Sequence, residues 1–315
     1  MTSPGTAIRP AWERLPGRLR DGLAARLGHI TRVQVQTGGF TPGLAARLQI
    51  GGGRRVFVKG IAADHVLADK YRAEARIARV TRALPHQVPA PRLRWDDEIA
   101  GWMVLCFDDV DGRHADLSSG SADVGRVVDT VAGLADVLTP CPAPDVPPAA
   151  VELADLVHGW RELAAAPPLN LHPWASRNVH RLAEAETAWL SAADGKTLLH
   201  GDINASNLIV TDRTVFLVDW AQPVRGAAWI DIADLIPHLV LAGHTPVDAE
   251  HAVTPALTAT GVQAEAVTSY AVAFAGYWAR MSRQPNPPGV PNLRAYQARA
   301  AHAALQWVIH RTGWP

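Results

Sequence analysis

Near residue 108 the chain changes its periodicity, and that change limits it to a small set of folds. Before it, short segments alternate and are punctuated by glycine: residues 32–37, then 44–50 after a glycine-containing turn, then 54–59 after Gly51, Gly52 and Gly53. Alternation with tight turns predicts an antiparallel meander. Residues 64–84 hold few β-branched side chains and carry Leu67, Tyr71, Ala75, Ala78 and Arg82 along one stripe, which predicts a helix. Two further strands are expected at 92–95 and 102–107, joined by an acidic turn of Asp96, Asp97 and Glu98. Beyond residue 122 the period is helical: Val124, Val127, Val128, Val131, Ala135 and Leu138 share one face. After a proline-rich break at 140–148, further helices are expected over 150–166, 177–193, 229–242, 264–283 and 293–311, with short β elements near Leu198 and at 208–210 and 215–218. No internal repeat is evident. Strands first and helices after imply an α+β chain: a small antiparallel sheet lobe with one helix, residues 1–107, and a larger, mainly helical lobe, residues 108–315.

With 315 residues, of which 48% are hydrophobic and 19% charged, the chain can bury a sizeable core and is unlike a disordered sequence. Lys plus Arg number 30 and Asp plus Glu 30, so net charge gives no reason to expect nucleic-acid binding. The balance is uneven along the chain: residues 1–109 hold 17 basic and 10 acidic side chains, the remainder 13 and 20. A basic first third suits an anionic ligand such as a nucleotide. The two cysteines, Cys106 and Cys141, cannot build a disulfide framework or a four-thiolate zinc site, which fits a reducing compartment. Residues 1–28 lack the apolar run of an export signal, and the most apolar segment, 230–242, is interrupted by Asp231, Asp234, Pro237 and His238. A cytoplasmic chain with no membrane partner is expected.

Residues 198–220, LLHGDINASNLIVTDRTVFLVDW, carry the chemistry. Asp202 follows His200 and Gly201, Asn207 comes five residues later, and Asp219 ends a β-branched strand. Phosphoryl transfer needs one carboxylate to accept the proton of the attacking hydroxyl, and an amide oxygen with a second carboxylate to hold magnesium against phosphates. Those three groups occur in that order, and a hairpin between Asn207 and Asp219 would return the second metal ligand to the first. His200, Asp202 and Asp219 could instead ligate a transition metal in a hydrolase, but an amide and carboxylates favour hard magnesium.

This segment resembles the aminoglycoside phosphotransferase and choline-kinase-like branch of the protein-kinase fold, which shares the pattern histidine, glycine, aspartate, four residues, asparagine. Trp229, Ile230, Asp231, Ile232 and Ala233 resemble a box of these enzymes whose aspartate braces the catalytic loop. Val56, Phe57, Val58 and Lys59 resemble the strand presenting the phosphate-binding lysine, and Glu74, 15 residues on, its ion-pair partner. The resemblance implies a bilobal, protein-kinase-like fold and a kinase using ATP or GTP with Mg2+, in which Asp202 is the proton acceptor and Asn207 and Asp219 hold the metal. It also implies nucleotide contacts from Gly39, Phe40 and Thr41 in the glycine-rich turn, and from the backbone of Cys106, Phe107 and Asp108 where the lobes cross. The turn departs from the glycine spacing of protein kinases, and Pro42 removes one N–H donor. Gly195, Lys196 and Thr197 mimic a P-loop, but Leu190 stands where its first glycine belongs.

The acceptor implied is a hydroxyl of a small molecule, such as an antibiotic or a sugar-containing metabolite. Glu152, Asp155, Glu162, Asp248, Glu250 and Glu265 could meet a polycation, and Trp160, Trp174, Trp278 and Trp307 could stack on a ring, although helix acids are usually solvated and tryptophans usually core. A non-catalytic nucleotide-binding scaffold on the same fold is the alternative. The intact set Lys59, Asp202, Asn207 and Asp219 favours the enzyme.

Overall fold

The structure, a computed structural model, describes residues 7–84 and 88–315; the first six residues of the N-terminal stretch considered above lie outside the described residues. In chain order the elements are α1 (Gly17–Leu27), β1 (Ile30–Val35), β2 (Leu44–Ile50), β3 (Arg54–Ala62), α2 (Ala68–Ala83), β4 (Leu93–Ile99), β5 (Trp102–Asp108) and β6 (Arg113–His114). There follow α3 (Asp123–Leu138), α4 (Ala149–Glu152), α5 (Gly159–Ala165), α6 (Pro173–Ala185), β7 (Thr197–Leu199), β8 (Leu208–Val210), β9 (Val215–Leu217) and β10 (Val224–Gly226). The last helices are α7 (Trp229–Leu241), α8 (Pro246–Ala259), α9 (Ala264–Met281) and α10 (Leu293–Thr312). The chain forms two compact units: a sheet unit of residues 1–114, 206–223 and 287–292, and a helical unit of residues 115–205, 224–286 and 293–315. The sheet unit is thus assembled from three separate stretches, where the sequence suggests a single cut after residue 107.

In the sheet unit five antiparallel strands lie in the order β1-β2-β3-β5-β4. Strand alternation sends Val56 and Val58 of β3 to one face, where Leu19 and Leu23 of α1 pack on them with Leu48, Val104 and Cys106. It sends Phe57, Lys59 and Ile61 to the other face, where Tyr71, Ala75 and Ala78 of α2 pack with Ile61, Leu105 and Phe107. Each fully buried leucine of such a core contributes about 2 kcal/mol through removal of apolar surface from water. Gly43 lets β2 begin close against β3: its φ is +110°, and a Cβ there would lie 2.5 Å from the Gly60 carbonyl oxygen. A separate three-stranded ribbon, β6-β8-β9, completes the unit.

Two details differ from the sequence expectation. Asp96, Asp97 and Glu98 are strand residues of β4, and the reversal falls on Ala100 and Gly101, with φ of 52° and 77°. The acids are tolerated because β4 is an edge strand and an arginine of the helix on each face meets one of them, Arg26 of α1 on Asp97 at 2.5 Å and Arg79 of α2 on Asp96. Helix α1 was not expected, its charges masking the Leu19 and Leu23 spacing that seats it on the sheet.

The helical unit is centred on α7, in which every residue from Trp229 to Val240 is buried. A mostly apolar helix buried on all sides belongs in a core, and its two carboxylates, Asp231 and Asp234, are hydrogen-bonded there. Among the described residues no helix is long and apolar enough to cross a membrane. The single helix expected over 150–166 is instead α4, a 3-10 stretch at Leu153–His158 and α5. Gly159 explains the break: a Cβ there would sit 2.1 Å from the Gly276 carbonyl carbon, so α5 must start where it can cross α9 backbone to backbone. The expected 177–193 helix is α6 followed by a 3-10 turn at Ala188–Ala192. Helix α8 was missed, though Thr245 caps it by accepting from the Asp248 N–H at 3.1 Å and Pro246 occupies its first turn.

Candidate active site

In the sheet unit, the period of two on β3 aims Lys59 at α2, and the helical period places Tyr71, Glu74, Ala75 and Ala78 on the facing stripe. Lys59 and Glu74 consequently meet, with Nζ 2.6 Å from Oε2 of a glutamate that is only 4% exposed. The same Nζ lies 2.7 Å from Oδ1 of Asp219 and 5.0 Å from the centre of the Tyr71 ring. Asp219 is delivered by the β8–β9 hairpin: Leu208 pairs with Leu217, and the Val218 N–H donates to the Asn207 carbonyl at 2.9 Å. Asn207 and Asp219 thus flank the open end of one ribbon. Asp219 has φ of 65°, a left-handed conformation that a non-glycine residue adopts only where its surroundings hold it. Buried Trp220 supplies such a hold, donating its indole N–H to the Leu217 carbonyl at 3.1 Å.

Burial opposes the Lys59 charge, but Asp219 and Glu74 outweigh it and keep the ammonium above the ordinary lysine range. Burial pushes the Glu74 carboxyl up to about 7 against the pull of Lys59, with Asp219 adding to the rise. Tyr71 is pushed up to about 12, chiefly by burial. These groups border a cavity of about 190 Å³ within the sheet unit. Of the residues singled out in the sequence, Lys59, Glu74, Gly39, Thr41, Phe107, Asp108, Asn207 and Asp219 line it. Phe40 and Cys106 do not; Cys106 faces the α1 side of the sheet and is fully buried. Asp108 pairs with Arg94 at 2.5 Å, and its N–H is taken by the Arg92 carbonyl at 2.9 Å. Next to it, Asp109 bridges Arg47 at 2.9 Å and Arg55 at 3.3 Å, and burial raises its carboxyl against those cations. Neither this bridge nor the place of Arg9 and Tyr71 in the cavity lining is legible in the sequence.

The remaining residue, Asp202, belongs to the helical unit, on the loop after β7. The Asn204 side chain donates to its Oδ1 at 3.0 Å and to its carbonyl at 3.2 Å. Asp231, at the start of α7, accepts from the N–H of His200 at 2.7 Å and of Gly201 at 3.1 Å, which fixes the loop from beneath. Burial lifts the Asp231 carboxyl to about 6, and those two N–H groups limit the rise. One helical turn on, Asp234 takes a short hydrogen bond from the Tyr270 hydroxyl, and burial raises both groups. Among the described residues no group of three His, Cys, Asp or Glu is set to hold a metal ion.

Sheet, paired lysine and braced loop together define a phosphotransferase of the protein-kinase-like class. The profile of the phosphotransferase enzyme family matches residues 43–252, two thirds of the chain, and the protein belongs to that family. Among solved structures the chain is similar to choline kinase LicA from Streptococcus pneumoniae, with 13% identity, a TM-score of 0.63, and coverage of 91% of this chain and 97% of that one. It is similar to a spectinomycin phosphotransferase in complex with ADP and spectinomycin, at 10% identity, TM-score 0.62 and coverage of 92% and 96%. A third similar structure is an aminoglycoside phosphotransferase from Alicyclobacillus acidocaldarius, at 15% identity, TM-score 0.59 and coverage of 90% and 92%. A search of curated proteins gives no match.

Proposed function

We propose that the enzyme transfers the γ-phosphate of ATP or GTP, in a magnesium-dependent reaction, to a hydroxyl of a small molecule such as an antibiotic or a sugar-containing metabolite. The observation that carries this reading is Lys59 held at 2.6 and 2.7 Å between Glu74 and Asp219 in the wall of the cavity. A lysine stem is flexible, and two carboxylates restrain its ammonium where phosphates would lie. Gly39 and Thr41 of the β1–β2 turn share that cavity, and Phe107 offers an apolar surface to a base.

Asn207 and Asp219 would hold magnesium. The donor set fits a hard cation, since the two residues bring an amide oxygen and a carboxylate and are tied together by the Val218 N–H bond to Asn207. Magnesium, when bound, neutralises charge on the phosphates. Asp202 accepts the proton of the attacking hydroxyl, its carboxylate oriented by Asn204 and its loop by Asp231. Nucleotide use is supported by the ADP in the similar spectinomycin phosphotransferase, and a small acceptor by the spectinomycin there and by the choline kinase likeness.

Thermal-shift titration with ATP and with GTP, each with and without magnesium, tests the nucleotide. Phosphorus NMR over a panel of aminoglycoside, macrolide, amino-alcohol and sugar acceptors then tests transfer. Magnesium-dependent stabilisation followed by one phosphorylated acceptor is expected. Absence of any nucleotide effect would sink the reading, and binding without turnover of any acceptor would favour a scaffold.

A further inference from the structure

The cavity has a third cationic side chain besides Lys59 and Arg47, and it comes from an unexpected place. Residues 7–9 run along the glycine-rich turn and are tied down by three hydrogen bonds. The Ala7 N–H donates to the Gly39 carbonyl at 3.1 Å, and the Ile8 N–H to the Gly289 carbonyl at 2.7 Å. The Arg9 guanidinium Nη2 donates to the Gly38 carbonyl at 2.8 Å. The approach is close enough that a Cβ on Gly39 would stand 3.2 Å from that nitrogen.

The three cations differ in what they already hold. Lys59 is committed to Glu74 and Asp219, and Arg47 to Asp109. Arg9 forms no ion pair within 4.0 Å among the described residues, and its Nε–H is buried without an acceptor. Burial disfavours its charge, with Tyr71 and Asp219 acting to keep it. A guanidinium so placed has donors left for a ligand, and its planar fork suits two oxygens of one phosphate. The cluster beside it shares one ammonium between two carboxylates, so a polyanion entering the cavity needs positive charge from elsewhere.

We propose that Arg9 is a phosphate-binding residue, contacting the polyphosphate of the bound nucleotide and leaving its base and sugar alone. The inference rests on the nucleotide reading above and goes beyond it, since Arg9 precedes the region matched by the family profile, 43–252. In binding terms the segment before α1 works as a strap, with Ala7 and Ile8 holding the backbone and Arg9 presenting the charge.

Calorimetric titration of the full chain with ATP and with adenosine, both with magnesium, tests this on the wild type, Arg9→Gln and Arg9→Lys. Glutamine keeps an N–H donor while removing the charge, and lysine restores charge without the fork. The expected result is ATP binding about tenfold to a hundredfold weaker in Arg9→Gln and intermediate in Arg9→Lys, with adenosine unchanged. Equal losses for ATP and adenosine would show a merely structural strap, and unchanged or tighter ATP binding would show that Arg9 does not hold phosphate; each overturns the proposal. A wild type that binds neither ligand overturns the nucleotide reading and this one with it, whereas a wild type that binds ATP with no effect of Arg9→Gln overturns this one alone.

Discussion

In the sheet unit Glu74 and Asp219 are held by a cation, Lys59, whereas in the helical unit Asp231 and Asp234 are held by neutral donors, two backbone N–H groups and a tyrosine hydroxyl. The difference separates two uses of a buried carboxylate. A charge held by a movable side-chain cation can exchange partners when a ligand brings new charge. One held by backbone and phenol is locked to the fold, and it fixes the loop that carries Asp202. The first arrangement should therefore be read out in binding and rate, the second in stability.

The largest expected effect lies on the locked loop itself: Asp202→Ala should lower kcat about 10²- to 10⁴-fold while leaving nucleotide affinity and Tm nearly unchanged. Near wild-type turnover of an identified acceptor would remove Asp202 from the proton-acceptor role. On the exchangeable side, Lys59→Met should reduce kcat/KM about a hundredfold or more. Adding Glu74→Ala should cost little further, because both changes disable one unit. Additive losses in that double-mutant cycle would mean that Glu74 does not act through Lys59.

Asp231→Ala should instead appear in denaturation, as a loss of about 3 kcal/mol from two buried N–H groups left without an acceptor. Asp231→Asn, keeping one acceptor oxygen, should lose less. If Asp231→Ala melted like the wild type, the distinction between the two units would fail. The smallest effect is the pH dependence of Glu74, whose carboxyl is raised to about 7 in the folded chain. A raised carboxyl binds its proton more tightly when folded, so its contribution to stability is full below the ordinary glutamate range and is lost as pH rises through about 7. Wild-type stability should accordingly fall relative to Glu74→Gln between about pH 4.5 and 7 and then level. A constant difference across that range would show that Glu74 titrates normally.

The arrangement around Lys59 was legible because it follows from two local periods: alternation on β3 puts Lys59 beside Phe57 and Ile61, and the α2 stripe puts Glu74 beside Tyr71 and Ala78. Asn207 and Asp219 were legible from their order on either side of a short hairpin. Arg9 was not, since it lies on no periodic element and reaches the cavity only through single hydrogen bonds to Gly38, Gly39 and Gly289 made by its segment. The Asp109 bridge to Arg47 and Arg55 was hidden for the same reason, its partners coming from two other strands. The β4 acids misled because a run of three carboxylates reads as a turn unless the edge position and the facing arginines are known.

The division of the sheet unit into residues 1–114, 206–223 and 287–292 also sets a clock on biosynthesis. A chain emerges from the ribosome N-terminus first, at roughly 5–20 residues per second. Strands β1 to β5 can pair early, but β6 must wait for β8, whose Val210 pairs with Arg113, and Lys59 must wait for Asp219. The strap waits longest, because the Ile8 N–H finds its acceptor only when Gly289 has been made. A nascent chain halted at residue 205 would own a complete five-stranded sheet and a cavity wall with no Asn207, no Asp219 and no Gly289 acceptor for Ile8, so the site waits for residue 219 and its strap for residue 289.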